Sequence, residues 1–237
     1  EDILREQTRL KAIKSISNTF QKCLCKKKLD VDAVSEVTQG IIDEIMQSRS
    51  RMIQLTNIMS FDEYTFSHSV NVCAIATLLG VISDYSPKRL TELALGAILH
   101  DIGKYVNLND PGKNGYQLII STEIMGLSHR EREEVANIVL YNTQELPDTD
   151  ELDTAFWREE YLRIAKLSSI LRLANALDRG HKQKLEKCSM ARKGKELIIS
   201  LETNQDITLE ITRFSKKAET FSEFTGITPV LKQKRAL

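Results

Sequence analysis

The stretch LHDIGK, residues 99–104, ends an apolar helical segment and brings together an imidazole, a carboxylate and an ammonium group. This grouping suits a metal ion that must hold a phosphate. A His-Asp pair is common by chance, so it needs support from the rest of the chain. His68 and Asp178 supply it, because each falls on the apolar face of a predicted helix, where a titratable group is costly to bury. The stretch therefore predicts a helical bundle built around a polar site.

The composition is that of a soluble protein with a sizeable core. The 237 residues are 41% hydrophobic, which is enough for one large domain or one domain with a small module. The formal net charge of +0 argues against a dedicated nucleic-acid binder and against binding to an acidic membrane. We find no apolar run of transmembrane length and no signal peptide, so we expect no membrane partner.

The four cysteines form no C-x-x-C pair, which favours a reducing compartment, and we expect the cytoplasm. Cys73 lies in an apolar stretch and is expected to act as a small core residue. Because the first residue is Glu1 and not Met, we expect the sequence to be a piece of a longer protein.

The periodicity of apolar residues predicts a mostly α protein: a helical bundle followed by a small α+β module. We divide it into 1–58 (N-terminal helices), 59–184 (the metal-binding helical domain) and 185–237 (the α+β module). The helices at 1–58 are expected to pack or to pair as a homodimer, with relay of a signal as the alternative. Helices are predicted at 2–25, 32–58, 62–82, 86–100, 116–125, 128–141 and 156–179, and strands at 197–201, 207–211 and 227–231.

Local signals fix several boundaries of these elements. Ser86 followed by Pro87 is a typical N-cap and first turn. Ser128 and Glu131 have the spacing of a capping box. Residues 107–115 hold one Pro and two Gly and are predicted to be a loop, whereas Gly226 is predicted to end a helix.

The candidate metal ligands are two imidazoles and two carboxylates, a common first shell for Mn, Fe, Ni or Zn. They are expected to converge from three helices: His68, His100, Asp101 and Asp178. A structural alternative exists for each residue. His68 can be a hydrogen-bonded core residue, His100 can complement the end of a helix dipole, and Arg179 or Arg172 can neutralise Asp178.

Two basic residues are candidates for holding the substrate. Lys104 lies three residues after Asp101 and can neutralise a phosphate oxygen, or it can be a solvated surface residue. Arg179 follows Asp178 and can contact phosphate, as can His181, but both can instead cap the helix. A small phosphorylated ligand is the partner that these residues predict.

Two stretches resemble a known superfamily. FDEYTFSHSVNVCAIA at 61–76 and LHDIGK at 99–104 resemble the HD-GYP branch of the HD superfamily of metal-dependent phosphohydrolases. From about residue 113 onward the chain resembles the C-terminal half of the exopolyphosphatase and guanosine pentaphosphate phosphohydrolase (Ppx/GppA) family. The resemblance rests there on GYQLIISTEIMGLSHREREEVANIV, on LRLANALDR at 171–179 and on the β-rich end of the chain.

The resemblance implies an HD-domain bundle with metal ligands His68, His100, Asp101 and Asp178. It also implies a phosphate contact at Lys104, and we assign catalytic roles to Asp101 and Lys104. The GYP signature is absent, which argues against cyclic di-GMP hydrolysis. Asn114 and Asn142 stand where the Ppx/GppA pattern often has His, so we expect one metal ion and not two. The actin-like half that carries phosphatase chemistry in Ppx/GppA proteins does not lie within the sequence.

Three functions follow from this pattern. The first is a metal-dependent phosphohydrolase that acts on a nucleotide or polyphosphate-type phosphoester or anhydride. The second is a regulatory HD module that binds metal and a phosphorylated ligand with little or no turnover. The third is a helical interaction domain whose polar cluster is only structural.

Overall fold

The computed structural model describes residues 2–26, 29–48, 50–54, 61–124, 126–148, 155–178 and 187–235. Within these ranges the protein is mostly α, with a small four-stranded sheet, as the sequence predicts. The elements in order are α1 Glu6–Lys26, α2 Val31–Gln47, β1 Met52–Gln54, α3 Phe61–Ile82, α4 Pro87–Leu99, a 3-10 helix Ile102–Tyr105, α5 Pro111–Ile120, α6 His129–Thr143, α7 Ala155–Asp178, β2 Lys187–Lys193, β3 Glu196–Glu202, α8 Thr208–Thr225 and β4 Thr228–Lys234.

Helix α3 is the centre of the bundle, with α1, α2, α4 and α7 packed around it. From Val70 to Gly80 every residue of α3 is buried, so this part of the helix has no face toward solvent. The window Thr65–Ile82 is long and apolar enough to cross a membrane, which corrects the expectation that no run reaches that length. Because 83% of that window is buried inside the protein, it has the surroundings of a core helix.

The capping predictions are confirmed for α6 and α8. Ser128 Oγ accepts from Glu131 N, and the Glu131 carboxylate accepts from Ser128 N. These two hydrogen bonds form the capping box. Gly226 ends α8 in the left-handed region (φ 70°), which a residue without a side chain adopts at no cost. Ser86 and Pro87 start α4 as expected, although the Ser86 side chain makes no capping hydrogen bond.

The sheet pairs β1, which follows α2, with the three strands of the C-terminal part, in the order β1-β2-β3-β4. Strands β1, β2 and β3 are antiparallel neighbours, and β4 lies parallel to β3 after the crossover through α8. Met52 of β1 pairs with Ser189 of β2. The sheet thus connects the predicted N-terminal part to the predicted module at 185–237. The three-part division of the chain remains a prediction.

The prediction of one helix over 32–58 is wrong in its second half. Helix α2 ends at Gln47, and Ile53 lies fully buried in β1, while residues 55–58 fall outside the described ranges. A three-residue strand is specified by its distant partner β2 and not by its own periodicity. Strand β2 itself was not predicted.

The predicted strand at 207–211 is helical. Its alternating apolar residues occupy the cap and first turn of α8, where Ile207 is buried and Ile211 is 40% exposed. The face that α8 buries continues through Phe214 and Phe221, both in the core. A five-residue alternation cannot be told from the first turns of a helix by pattern alone.

The predicted loop at 107–115 is wrong from Pro111 onward, because α5 begins there. Asp110 is its N-cap and accepts from Lys113 N, and Pro111 fills the first turn. The glycines allow close packing: a Cβ on Gly112 would lie 2.5 Å from Thr143 Oγ1, and one on Gly115 would lie 2.9 Å from Val139 Cγ1. These residues therefore mark a tight contact between α5 and α6.

Candidate metal centre

The structure brings three of the four predicted ligands into one cluster. His68 comes from the first turns of α3, His100 follows the last residue of α4, and Asp101 begins the turn into the 3-10 helix. One ligand atom from each lies within 4.8 Å of the others, and all three residues are buried. The two imidazole rings face each other edge to face, with centroids 5.2 Å apart.

The imidazole of His100 presents a free lone pair to this cluster. Its Nδ1 lies 2.8 Å from the carbonyl oxygen of Ala97, which only accepts, so Nδ1 carries the proton. Complete burial lowers the pKa of His100 to about 4, despite the opposing effect of Asp101. The ring is therefore neutral at neutral pH, and its Nε2 is an acceptor with no hydrogen-bond partner among the described residues.

Asp101 places a second acceptor next to this nitrogen. Its Oδ1 lies 3.4 Å from His100 Nε2, and its Oδ2 accepts from Lys104 Nζ at 2.7 Å. Burial alone would raise the pKa of Asp101, but His100 and Lys104 lower it to about 2. A lone pair and a carboxylate oxygen thus face each other at neutral pH in a buried place. A cation bound by both would remove this repulsion.

The fourth predicted ligand, Asp178, lies behind His68 and not in the cluster of three. Its Oδ2 accepts from His68 Nδ1 at 2.7 Å, so Nε2 is the ring nitrogen of His68 that can serve as a ligand atom. A carboxylate that orients an imidazole in this way is a common partner of metal-binding histidines. The structure therefore places Asp178 where it orients His68, and its role as a direct ligand remains a prediction.

Two residues of this site were missed by the sequence reasoning. Asn71 Nδ2 donates to Asp178 Oδ1 at 3.2 Å, and Asn71 Oδ1 accepts from Arg9 Nη1 at 2.9 Å. Arg9 is buried and also pairs with Asp2 at 2.9 Å. Their positions carried a signal: Asn71 is one turn after His68, and Arg9 is one turn before Ile13, a core residue of α1. We call Arg9, Asn71 and Asp178 the polar relay.

The remaining predicted residues have different outcomes. Lys104 is at the site, with its side chain 45% exposed and its ammonium on Asp101. Arg179 and His181 fall outside the described residues. The amide of Asn114 donates to the carbonyl oxygens of Asn107 and Asn109, and so it holds the turn before α5.

The donor set fits a divalent transition metal. His68 and His100 offer imidazole nitrogens and Asp101 offers an ionised oxygen, the ligand types that Mn, Fe, Ni and Zn accept. The buried, unpartnered Nε2 of His100 is the observation that a purely structural cluster does not explain.

A comparison with known proteins identifies the family of this chain. The model of the Ppx/GppA phosphatase, domain III, matches residues 80–217, which is more than half of the chain and includes His100, Asp101 and Asp178. The chain belongs to this family. The Ppx/GppA match starts after His68 and stops within α8.

This Ppx/GppA domain III protein is also similar to a cyclic di-GMP phosphodiesterase of Pseudomonas aeruginosa. The two are 28% identical over 103 residues, which cover 42% of this chain and 25% of the relative. The aligned part thus spans a quarter of that relative's length. Together the two comparisons support a phosphohydrolase of the general kind.

Proposed function

We propose that this protein is an HD-type, metal-dependent phosphohydrolase that acts on a nucleotide or polyphosphate-type phosphoester or anhydride. The observation that carries the proposal is the pair of acceptors at 3.4 Å, His100 Nε2 and Asp101 Oδ1, buried and facing each other. His68 would complete the ligand set, with Asp178 orienting it or joining it. One metal ion is proposed, because the described cluster contains three donor residues.

A divalent cation bound there would supply Lewis-acid polarisation of a phosphoryl oxygen and would lower the pKa of a water molecule. The residues of the chain do the positioning. Asp178 holds the ring of His68, and the carbonyl oxygen of Ala97 fixes the tautomer of His100. Lys104 is the proposed phosphate contact, since its half-exposed ammonium lies at the edge of the cluster, and Arg179 is proposed as a second one.

The metal itself is the first test. We expect purified protein to hold about one Mn, Fe, Ni or Zn ion per chain, and we expect His68→Ala to lose it. His129→Ala is the matched control, because His129 is an exposed histidine at the start of α6. Equal metal content in wild-type protein and in folded His68→Ala would overturn the proposed centre.

Turnover is the second test. With added Mn²⁺, we expect hydrolysis of at least one substrate in a panel of bis(p-nitrophenyl) phosphate, nucleoside di- and triphosphates, polyphosphate and cyclic di-GMP. Asp101→Asn should abolish it, since the amide cannot supply the anionic oxygen. Activity that persists in Asp101→Asn would place the chemistry elsewhere in the protein.

A regulatory module is the second candidate function. The polar relay favours it, because it connects the metal centre to α1 through buried hydrogen bonds and so links the site to the N-terminal helices. Metal content without turnover of any substrate in the panel would support this function over hydrolysis. In either case we propose a cytoplasmic protein whose partner is a small phosphorylated ligand.

A further inference from the structure

The two edges of the sheet differ in what covers them. At the β1 edge, Ile3 N donates to the carbonyl oxygen of Met52 at 2.8 Å. Gln54 N donates to the carboxylate of Asp2 at 3.1 Å, so residues 2–3 cover this edge. At the other edge, β4 pairs with β3 and has no second neighbour among the described strands. A strand of this kind can pair with an added strand.

The backbone of β4 shows which of its groups face outward. Thr228 N donates to the carbonyl oxygen of Lys195 at 2.7 Å, and the carbonyl oxygen of Lys234 accepts from Thr203 N at 2.9 Å. Both partners flank β3, so the backbone groups of the even-numbered residues point toward β3. Because these groups alternate in direction along a strand, those of the odd-numbered residues point to the open edge. They belong to Pro229, Leu231 and Gln233.

An open groove of about 670 Å³ runs beside this edge, between β4 and α8. Its described lining contains residues of these two elements and none of β3, so the groove lies on the outer side of β4. The apolar part of the lining includes Ile211, Phe214, Ala218 and Leu231, and Ile211 is 40% exposed. Every second side chain of a strand added to β4 would point into this groove and cover Ile211.

The end of β4 is cationic. Lys232, Lys234 and Arg235 are exposed, and none of them forms an ion pair among the described residues. Lys234 is in register with Glu202, but that carboxylate already pairs with Lys187 at 3.6 Å. The side chains of the two lysines alternate with that of Leu231, so they lie on the sheet face away from the groove. The other side chains of an added strand would lie beside them, where carboxylates would be favourable.

A second copy of β4 fits this edge poorly. If two copies paired antiparallel about Leu231, Gln233 of each would lie opposite Pro229 of the other, where its carbonyl oxygen finds no N–H. Lys232 of the two copies would be diagonal neighbours, and like charges in neighbouring positions repel. Lysine and proline at an edge are means by which proteins oppose pairing with themselves. The edge is therefore suited to a strand of opposite charge.

We propose that β4 and this groove bind an extended acidic segment of a partner protein, which adds a strand to the four-stranded sheet. Apolar side chains of the segment enter the groove beside Ile211 and Leu231. The side chains between them are Asp or Glu and face Lys232 and Lys234. The outward backbone groups of β4 supply affinity, and the lysines select the charge of the partner. The surface needs no metal and is independent of the proposed function.

The test is fluorescence anisotropy with labelled peptides and the whole chain. We expect the wild type to bind a peptide that alternates Glu and Val and has the length of β4, 7 residues. K232E/K234E should bind it about tenfold more weakly, or less, and should prefer the matching Lys/Val peptide, because like charges across an interface are unfavourable. K14E/K193E is the matched control, since it reverses two exposed lysines of α1 and β2 outside the groove.

Leu231→Pro tests the strand pairing itself. It removes an outward N–H, whereas the backbone bonds to β3 belong to the even-numbered residues. We expect this variant to lose the Glu/Val peptide while its circular dichroism spectrum stays that of the wild type. A Glu/Val peptide with methylated backbone nitrogens makes the same test on the unaltered protein, and it should not bind.

The proposal is overturned if the wild type does not bind the Glu/Val peptide, or if it binds the Lys/Val peptide equally well. Equal binding of the Glu/Val peptide by K232E/K234E and the wild type would also overturn it. Size-exclusion chromatography with light scattering tests the remaining occupant. A wild-type dimer that Leu231→Pro dissociates would show that a second copy of the chain covers this edge, against the proposal.

Discussion

Asn71 donates through Nδ2 to Oδ1 of Asp178 at 3.2 Å. It therefore orients the carboxylate, which in turn bonds the imidazole of His68. Its other amide atom accepts from buried Arg9, which fixes the amide orientation. The polar relay thus links the position of one proposed metal ligand to a residue of α1. Because a partner of this kind contributes to metal affinity without touching the metal, it can be tested separately from the ligands.

We expect Asn71→Leu to weaken metal binding by about 10–100-fold, the usual effect of losing a group that orients a metal-binding histidine. Leucine has a similar size but leaves Asp178 Oδ1 without this donor. Titration of Mn²⁺ into apo-protein measures the change. Asn137→Leu is the control, since among the described residues the Asn137 side chain bonds to the carbonyl oxygen of Glu133 on its own helix. Unchanged affinity in folded Asn71→Leu would show that the relay does not support the centre.

Arg9→Met should destabilise the protein by about 3–5 kcal/mol in urea unfolding. The substitution keeps most of the side-chain volume but removes one partner of a largely buried ion pair with Asp2 and strands the Asn71 carbonyl. Arg5→Met is the comparison, because Arg5 is 78% exposed and its bridge to Glu44 lies at the surface. That variant should lose less than about 1 kcal/mol. Equal losses in the two variants would contradict the prediction.

Gly103→Ala should lower the free energy of unfolding by about 3 kcal/mol or more and should weaken metal binding. A Cβ on Gly103 would lie 1.9 Å from the carbonyl oxygen of Pro111. The 3-10 helix would therefore have to move away from α5. Asp101 and Lys104 flank this glycine and would move with it.

Gly40→Ala gives the opposite expectation from the same chemical change. Gly40 lies inside α2 with nothing within 4 Å of the added Cβ, so alanine should stabilise by about 0.5–1 kcal/mol. Thermal or urea unfolding of both variants measures the contrast. If Gly103→Ala lowers the free energy of unfolding only slightly, the turn after His100 and Asp101 tolerates displacement.

The capping box of α6 should make the stability of the protein depend on pH in the acidic range. Hydrogen bonds from Lys88 and then from Ser128 lower the pKa of Glu131 from 4.5 to about 2. A carboxyl whose pKa is lower in the folded state contributes stability above pH 4.5 and loses it as the pH falls toward 2. Wild type should therefore exceed Glu131→Gln in stability at neutral pH, and the two should converge near pH 2. A difference that stays constant from pH 6 to 2 would contradict this assignment.

Local rules predicted the long elements of the fold. Helix α4 and the capping box of α6 follow from residues within one or two turns, and the cluster of His68, His100 and Asp101 follows from apolar faces that end in titratable groups. Asp178 was predicted to be a ligand, and the structure shows it bonded to His68, so its role as a direct ligand stays a prediction. Whether an acid orients a ligand or is one depends on side-chain rotamers, which no spacing specifies.

The errors share one physical cause, which is tertiary contact. Strand β1 exists because β2 pairs with it, and Gly112 is helical because α5 must approach α6 closely. Arg9 and Asn71 were missed because the role of a polar residue on an apolar face becomes clear only when its partner on another helix is known. Periodicity identifies a face, and only the packed structure identifies what lies against it.

The pairing of β1 with β2 has a consequence for how the protein is made. During synthesis β1 leaves the ribosome well over a hundred residues before its partner, so β1 can pair only after the chain has emerged through β2. Until β2 has emerged, β1 does not have this strand to pair with. Expression of residues 61–237 alone would leave the edge of β2 permanently open, which makes that shorter piece prone to self-association through this strand.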